Sequence, residues 1–186
     1  MVGTLGMKED DFKTIHQIKS VMQATQCVPA PTVKGWLRNP SLEVLSVVVE
    51  FISEHSRQIE PPLTMDEICN AVRGYYQRCL QQDFQSEFIP NLHIAGYEFV
   101  SWFRGLWKDI AVPRKYLLDL KAMLAELYEA ASPQTKDELV NAVLEHLFEM
   151  PEIAEFFADW KSDPMLGKAY ACAMEWAKDR PRYFIP

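Results

Sequence analysis

At five places a proline stands at the head of an apolar run with helical spacing: Asn39-Pro40, Val112-Pro113, Ser132-Pro133, Met150-Pro151 and Asp163-Pro164. Proline suits the first helical turn, where its missing N–H has no intrahelical partner and its φ is already helical. Thr64 followed by Glu67 adds a capping box, and Asn91 after Pro90 adds a further cap. The runs between these marks carry one apolar stripe each. Leu42, Leu45, Val49 and Ile52 share a face, as do Ile68, Val72, Tyr75 and Cys79. Leu117, Leu120, Leu124 and Leu127 form another, and Leu139, Val143, Leu147 and Met150 a fourth. Ile153, Phe156, Phe157 and Trp160, then Ala169, Ala173, Trp176 and Ala177, continue the pattern. No period-2 stretch or Asn-Gly turn appears, and Val47-Val48-Val49 lies within a helix-period segment. The expectation is an all-α, single-domain bundle of about seven or eight helices spanning 1–186. Residues 1–34 read as an N-terminal helix near Asp10–Ala24 plus a linker carrying Pro29 and Pro31.

The segment Leu92–Ile110 is apolar on several sides. Leu92, Phe99, Phe103, Leu106 and Ile110 make one face, while Tyr97, Trp102 and Trp107 spread aromatics elsewhere. Such a helix is expected at the centre of a bundle, with Gly96 and Gly105 admitting close neighbours. Glu98, Arg104, Lys108 and Asp109 interrupt it, so it does not read as membrane-spanning. Met1–Gly6 have neither a basic start nor an apolar run, so no targeting segment is expected. Cys27, Cys69, Cys79 and Cys172 form no CxxC pair and read as buried free thiols in a reducing, cytoplasmic setting. The closing Arg180–Pro186 stretch, with Tyr183, Phe184 and Ile185, is expected to fold back over an apolar groove.

Charge is distributed unevenly. Asp137, Glu138, Glu145, Glu149, Glu152, Glu155, Asp159 and Asp163 face only Lys161 within their window, so that window carries −8 + 1 = −7, the whole net charge. Elsewhere 18 acids balance 18 bases. A net charge of −7 argues against a nucleic-acid footprint. Helical spacing sets Glu138, Glu145 and Glu149 on one stripe and Glu152, Glu155 and Asp159 on another, both opposite apolar faces. Two consecutive helices are therefore expected to present acids outward. The i, i+4 pairs Glu145/Glu149 and Glu155/Asp159 repel, and Glu149 sits at the unfavourable end of its helix dipole. A solvated, solubilising face accounts for the charge without a partner. The functional alternative is a surface steering a basic partner, contacted by Glu145, Glu149, Glu152, Glu155 and Asp159.

Catalytic and metal signatures are sparse. Glu145-His146-x-x-Glu149 lacks the ExxH pairs of di-iron bundles, and HExxH, HxxEH, GxSxG, GxGxxG and phosphate loops are absent. No catalytic residue, metal or cofactor is expected from this pattern, and His146 reads as a hydrogen-bonded, half-buried side chain.

Leu144-Glu145-His146-Leu147-Phe148-Glu149, followed by Phe156-Phe157-x-x-Trp160 and Asp163-Pro164, resembles small uncharacterised helical proteins of bacteria, some of them similar to immunity proteins of antibacterial toxins. The resemblance covers roughly the C-terminal half and implies a binding role without catalytic residues. The leading expectation is a non-enzymatic cytoplasmic protein that occludes a basic protein partner such as a toxin, with neither nucleic acid nor membrane as partner. A second is a small helical enzyme or ligand-binding protein with a pocket around Tyr97, Trp102, Phe103 and His146. A third is a homo-oligomer joined through the aromatic helix.

Overall fold

The computed structural model describes residues 7–24, 26–81 and 87–179. It is all-α, as the apolar spacing requires. The expectation for the C-terminal tail lies outside the described residues. Among the described residues no helix is long and apolar enough to cross a membrane. The chain divides into two compact units, one holding the residues up to Tyr75 together with Glu87–Ile89, the other holding the rest.

In the first unit, α1 (Glu9–Ala24) packs on α3 (Leu42–His55), and α2 (Ala30–Leu37) lies against α3. Ile15, Ile18, Val33, Trp36, Val48 and Phe51 meet in its core. The Val-rich run is helical despite its β-branched residues, because Val44, Val47, Val48 and Ile52 all find apolar neighbours there. α3 starts after Pro40 rather than on it. Ser41 is the cap, its hydroxyl accepting from the Val44 N–H, while the Asn39 side chain accepts from the Ser41 N–H. The residues expected to be a linker are structured. Val28–Pro29 (β1) pairs in parallel with Ile59–Glu60 (β2), and α2 opens immediately after β1. Val28, Ala30 and Val33 are buried, so this stretch is held by its own apolar side chains. A two-residue bridge is too short to show a period in the sequence. The Thr64/Glu67 box opens α4 (Met65–Cys79) as expected, the Glu67 carboxylate accepting from the Thr64 N–H and the Thr64 hydroxyl from the Glu67 N–H.

The second unit is built from α5 (Leu92–Lys108), α6 (Arg114–Ala130), a long broken helix, α9 (Pro151–Phe156), a 3₁₀ turn (Ala158–Ser162) and α10 (Leu166–Asp179). Asn91 and Ser132 cap α5 and the broken helix through their side-chain oxygens, and Asp163 accepts from the Met165 and Leu166 N–H groups ahead of α10. The broken helix runs as α7 (Pro133–Leu139), a π segment (Val140–Leu144) and α8 (Glu145–Phe148). α5 and α10 both pack on its latter part, so Ala142 to Phe148 are buried without interruption. This segment occupies the central place expected of Leu92–Ile110. α5 keeps an open side bearing Ile94 and Tyr97, and Ile110, placed on its buried face by periodicity, lies beyond the helix end and is fully exposed.

The contact between α5 and the π segment depends on one glycine. A Cβ on Gly96 would stand 2.7 Å from the Ala142 carbonyl oxygen and 2.8 Å from its Cβ. Gly105, expected to play the same part, has nothing within 4 Å. Gly96→Ala is therefore expected to destabilise by about 1–3 kcal/mol through overpacking against backbone. Gly105→Ala is expected to be neutral or to gain up to about 1 kcal/mol from helix propensity. Urea unfolding of the two variants beside the parent checks the contrast.

The cysteines divide. Cys69 and Cys79 are buried as expected, whereas Cys27 and Cys172 are exposed, each on a stretch of chain whose buried positions are taken by better-placed neighbours such as Val28 and Ala173.

Candidate functional site

Tyr97 and Arg104 stand two helical turns apart on α5 and share a face. Both reach His146. The Tyr97 ring lies tilted against the imidazole with centroids 4.7 Å apart, and Arg104 Nη2 donates to the His146 carbonyl oxygen. The same Nη2 donates to Glu149 Oε2 at 2.9 Å, while Glu149 Oε1 lies 2.9 Å from His146 Nδ1. On the other ring nitrogen, Nε2 is 3.3 Å from Glu145 Oε1. The result is a chain of ionisable groups, Arg104–Glu149–His146–Glu145, that runs from a half-buried end to a buried one. Burial pushes the Glu149 carboxyl up, but the hydrogen bonds and charges of Arg104 and His146 outweigh it and hold the group below the ordinary carboxylate range.

The acidic face drawn from the sequence loses one member to the interior. Glu145 is 2% exposed and belongs to the interior. An uninterrupted α-helix would set it opposite the stripe formed by Val143 and Leu147, facing solvent. Here α5 and α10 both pack on this part of the helix, so every residue from Ala142 to Phe148 is buried and Glu145 lies inside together with Leu147. Glu149 is half-buried and tied to Arg104 and His146. Asp159 is exposed but paired with Lys121, whose ammonium also donates to the Phe156 carbonyl oxygen at 2.8 Å and lies over the Phe156 and Phe157 rings. Glu152 and Glu155 remain exposed on α9.

The aromatic pocket expected around Tyr97, Trp102, Phe103 and His146 is not formed. Tyr97 and His146 do touch, but Phe103 is fully buried among Phe99, Trp107, Phe156 and Phe157. Trp102 packs on Tyr76 and Phe99. The helical rise and turn between Tyr97 and Trp102 set them on different faces of α5. His146 is hydrogen-bonded as expected, and more deeply buried than the half-buried position expected of it.

An open cleft of about 490 Å³ lies beside the ionic chain, between α8, α9, the 3₁₀ turn and α10. Phe148, Tyr170 and Met174 contribute apolar surface, and Glu149, Glu155, Lys161 and Lys178 contribute charge. Lys161 lies over the Tyr170 ring at 5.0 Å. Glu149 thus joins the cleft to the buried groups behind it. Among the described residues no group of three or more His, Cys, Asp and Glu side chains is arranged to hold a metal ion.

Periodicity and charge runs do not single out Arg104 and Lys121, although a weak signal is present. Each is a cation within a helix whose other inward positions are apolar, where a buried or half-buried charge needs a partner. No family model, curated protein or solved structure matches the chain.

Proposed function

We propose that this chain is a non-enzymatic, cytoplasmic binding protein of the toxin-neutralising immunity type, which occludes a basic surface on a protein partner. The observation that carries this reading is the cleft with a fixed carboxylate on its wall. Glu149 is held in one orientation by Arg104 and His146 and stays ionised, so little ordering is needed when a cation meets it. Glu155 lines the same cleft, and Glu152 is exposed on the same helix as Glu155. The contact set is therefore Glu149, Glu152 and Glu155. Glu145 is spent on the interior, and Asp159, paired with Lys121, does not line the cleft.

The test is capture from an extract of the native host by the parent and by Glu152→Lys/Glu155→Lys, each at low and high salt. A partner steered by charge is expected to be retained by the parent at low salt, and to be lost both at high salt and on charge reversal. Thermal melts of the two proteins are expected to agree within about 0.5 kcal/mol, since both positions are exposed. Capture that ignores salt and charge reversal alike refutes the reading.

A second reading rests on the cleft's size, which falls within the range of small-molecule sites. Native mass spectrometry of the purified chain distinguishes it: a stoichiometric small ligand that is lost on Tyr170→Ala favours ligand binding over a protein partner.

A further inference from the structure

The cleft beside α8 carries both signs of charge, and they come from different elements. Glu149 follows α8 and Glu155 lies on α9, whereas Lys161 comes from the 3₁₀ turn and Lys178 from α10. Among the described residues Glu155, Lys161 and Lys178 enter no ion pair, although all three line this one cleft. The Lys161 ammonium lies instead over the Tyr170 ring, 5.0 Å from its centroid. Glu149 is fixed by Arg104 on Oε2 and by His146 on Oε1, and each carboxylate oxygen has a second lone pair with which to accept.

The remaining surface is mainly apolar. The Phe148 and Tyr170 rings meet at 5.0 Å between centroids, and Met174 stands one turn further along α10. Tyr170 is 7% exposed, yet its hydroxyl has no hydrogen-bond partner among the described residues. With the ring packed away, that hydroxyl is left to water or to whatever occupies the cleft.

These features narrow the class of ligand. A small cation confined to the cleft meets two ammonium groups as well as the carboxylates, and a small anion meets the two carboxylates. A ligand with one charge of each sign satisfies both sets, and the aromatic and thioether surface suits an apolar body. The volume of about 490 Å³ admits a molecule of that kind. Resting on the second reading above, in which the cleft takes a small molecule, we propose that it binds a zwitterion with an apolar body, the ammonium on Glu149 and Glu155 and the carboxylate on Lys161 and Lys178. A free apolar amino acid and a short apolar peptide share this chemistry.

Isothermal titration calorimetry of the full chain at about pH 6.5, where an α-amino group is charged, tests the assignment. The probes are phenylalanine and phenylalanyl-leucine, each beside its C-terminal amide, which lacks the carboxylate, and its N-acetyl form, which lacks the ammonium. At least one zwitterion is expected to bind about tenfold or more tightly than both of its single-charge forms, because each form has lost a charge-assisted contact. The tighter zwitterion identifies the source, amino acid or peptide. Lys161→Met/Lys178→Met is expected to weaken that zwitterion about tenfold or more and to leave its amide unweakened. Both lysines are exposed, so the double variant is expected to melt with the parent. Single-charge forms that bind as tightly as the zwitterions, or zwitterion binding unmoved by the lysine substitutions, overturn the proposal and leave the second reading standing. No binding by any probe up to about 10 mM overturns the proposal as well. If native mass spectrometry then shows no copurified ligand, the second reading falls with it.

Discussion

Phe157→Ala is expected to lower stability by about 3–5 kcal/mol, the usual cost of deleting a fully buried phenyl ring. Phe157 has no exposed surface, and its ring meets those of Phe103, Phe148, Phe156 and Trp160 at centroid distances from 4.9 to 6.2 Å. These neighbours come from α5, α8, α9 and the 3₁₀ turn, so one truncation opens a cavity shared by four elements. Aromatic rings fixed on short, separate segments cannot all shift into the space, which places the cost toward the upper end of the range. Lys121 adds to it, because its ammonium lies 5.4 Å from the same ring. Phe157→Leu, which keeps most of the volume, is expected to recover more than half of the loss. Urea or thermal unfolding of the two variants measures it, and a Phe157→Ala loss below about 1.5 kcal/mol would show that this cluster is not a packed core.

Arg104→Met is expected to cost about 2–3 kcal/mol, somewhat below the 3–5 kcal/mol of a fully buried pair because both partners keep about 30% of their side-chain surface in water. The methylene stem is retained, so the loss falls on the guanidinium. Without it the His146 carbonyl oxygen loses a donor, and Glu149 loses the cation that balances its charge. Glu149→Gln in the same background is expected to restore part of the stability, since it removes the charge that Arg104 balanced. The pH dependence provides an independent check. Glu149 is held below the ordinary carboxylate range in the folded protein, so it contributes stability above the unfolded value of about 4.3, and that contribution is lost as pH falls through the folded value. Arg104→Met is expected to shrink this acid-side loss. An unchanged acid limb and an unchanged midpoint would show that the Arg104–Glu149 pair contributes nothing.

Much of the secondary structure is legible along the chain because its causes are local. Ser132-Pro133 and Met150-Pro151 begin helices, Thr64 and Glu67 cap each other, and Asn91 caps α5. Each of these depends on residues within one turn of the chain. The bridge between β1 and β2 is not legible, because it pairs residues more than thirty positions apart and is only two residues long. The candidate site is legible in part. Glu149 stands out as an acid in an unfavourable position at a helix end, and the structure supplies the compensation in Arg104. Periodicity misplaces Glu145 for a definite reason: a helical wheel assumes one solvent-facing side, and α5 and α10 pack on this helix so that every residue from Ala142 to Phe148 is buried. Asp159 does lie at the surface, but its pairing with Lys121 spans a distance in sequence that no periodicity reveals.

The helical class, most helix starts and the concentration of acid in one stretch follow from the residue order alone, because propensity, capping and composition act between near neighbours. Which acids meet solvent was settled by packing. α5 and α10 close over the broken helix and bury Glu145, and two cations distant in sequence claim Glu149 and Asp159. The cost of a buried charge is set by what surrounds it in space, and those surroundings are assembled from segments far apart along the chain.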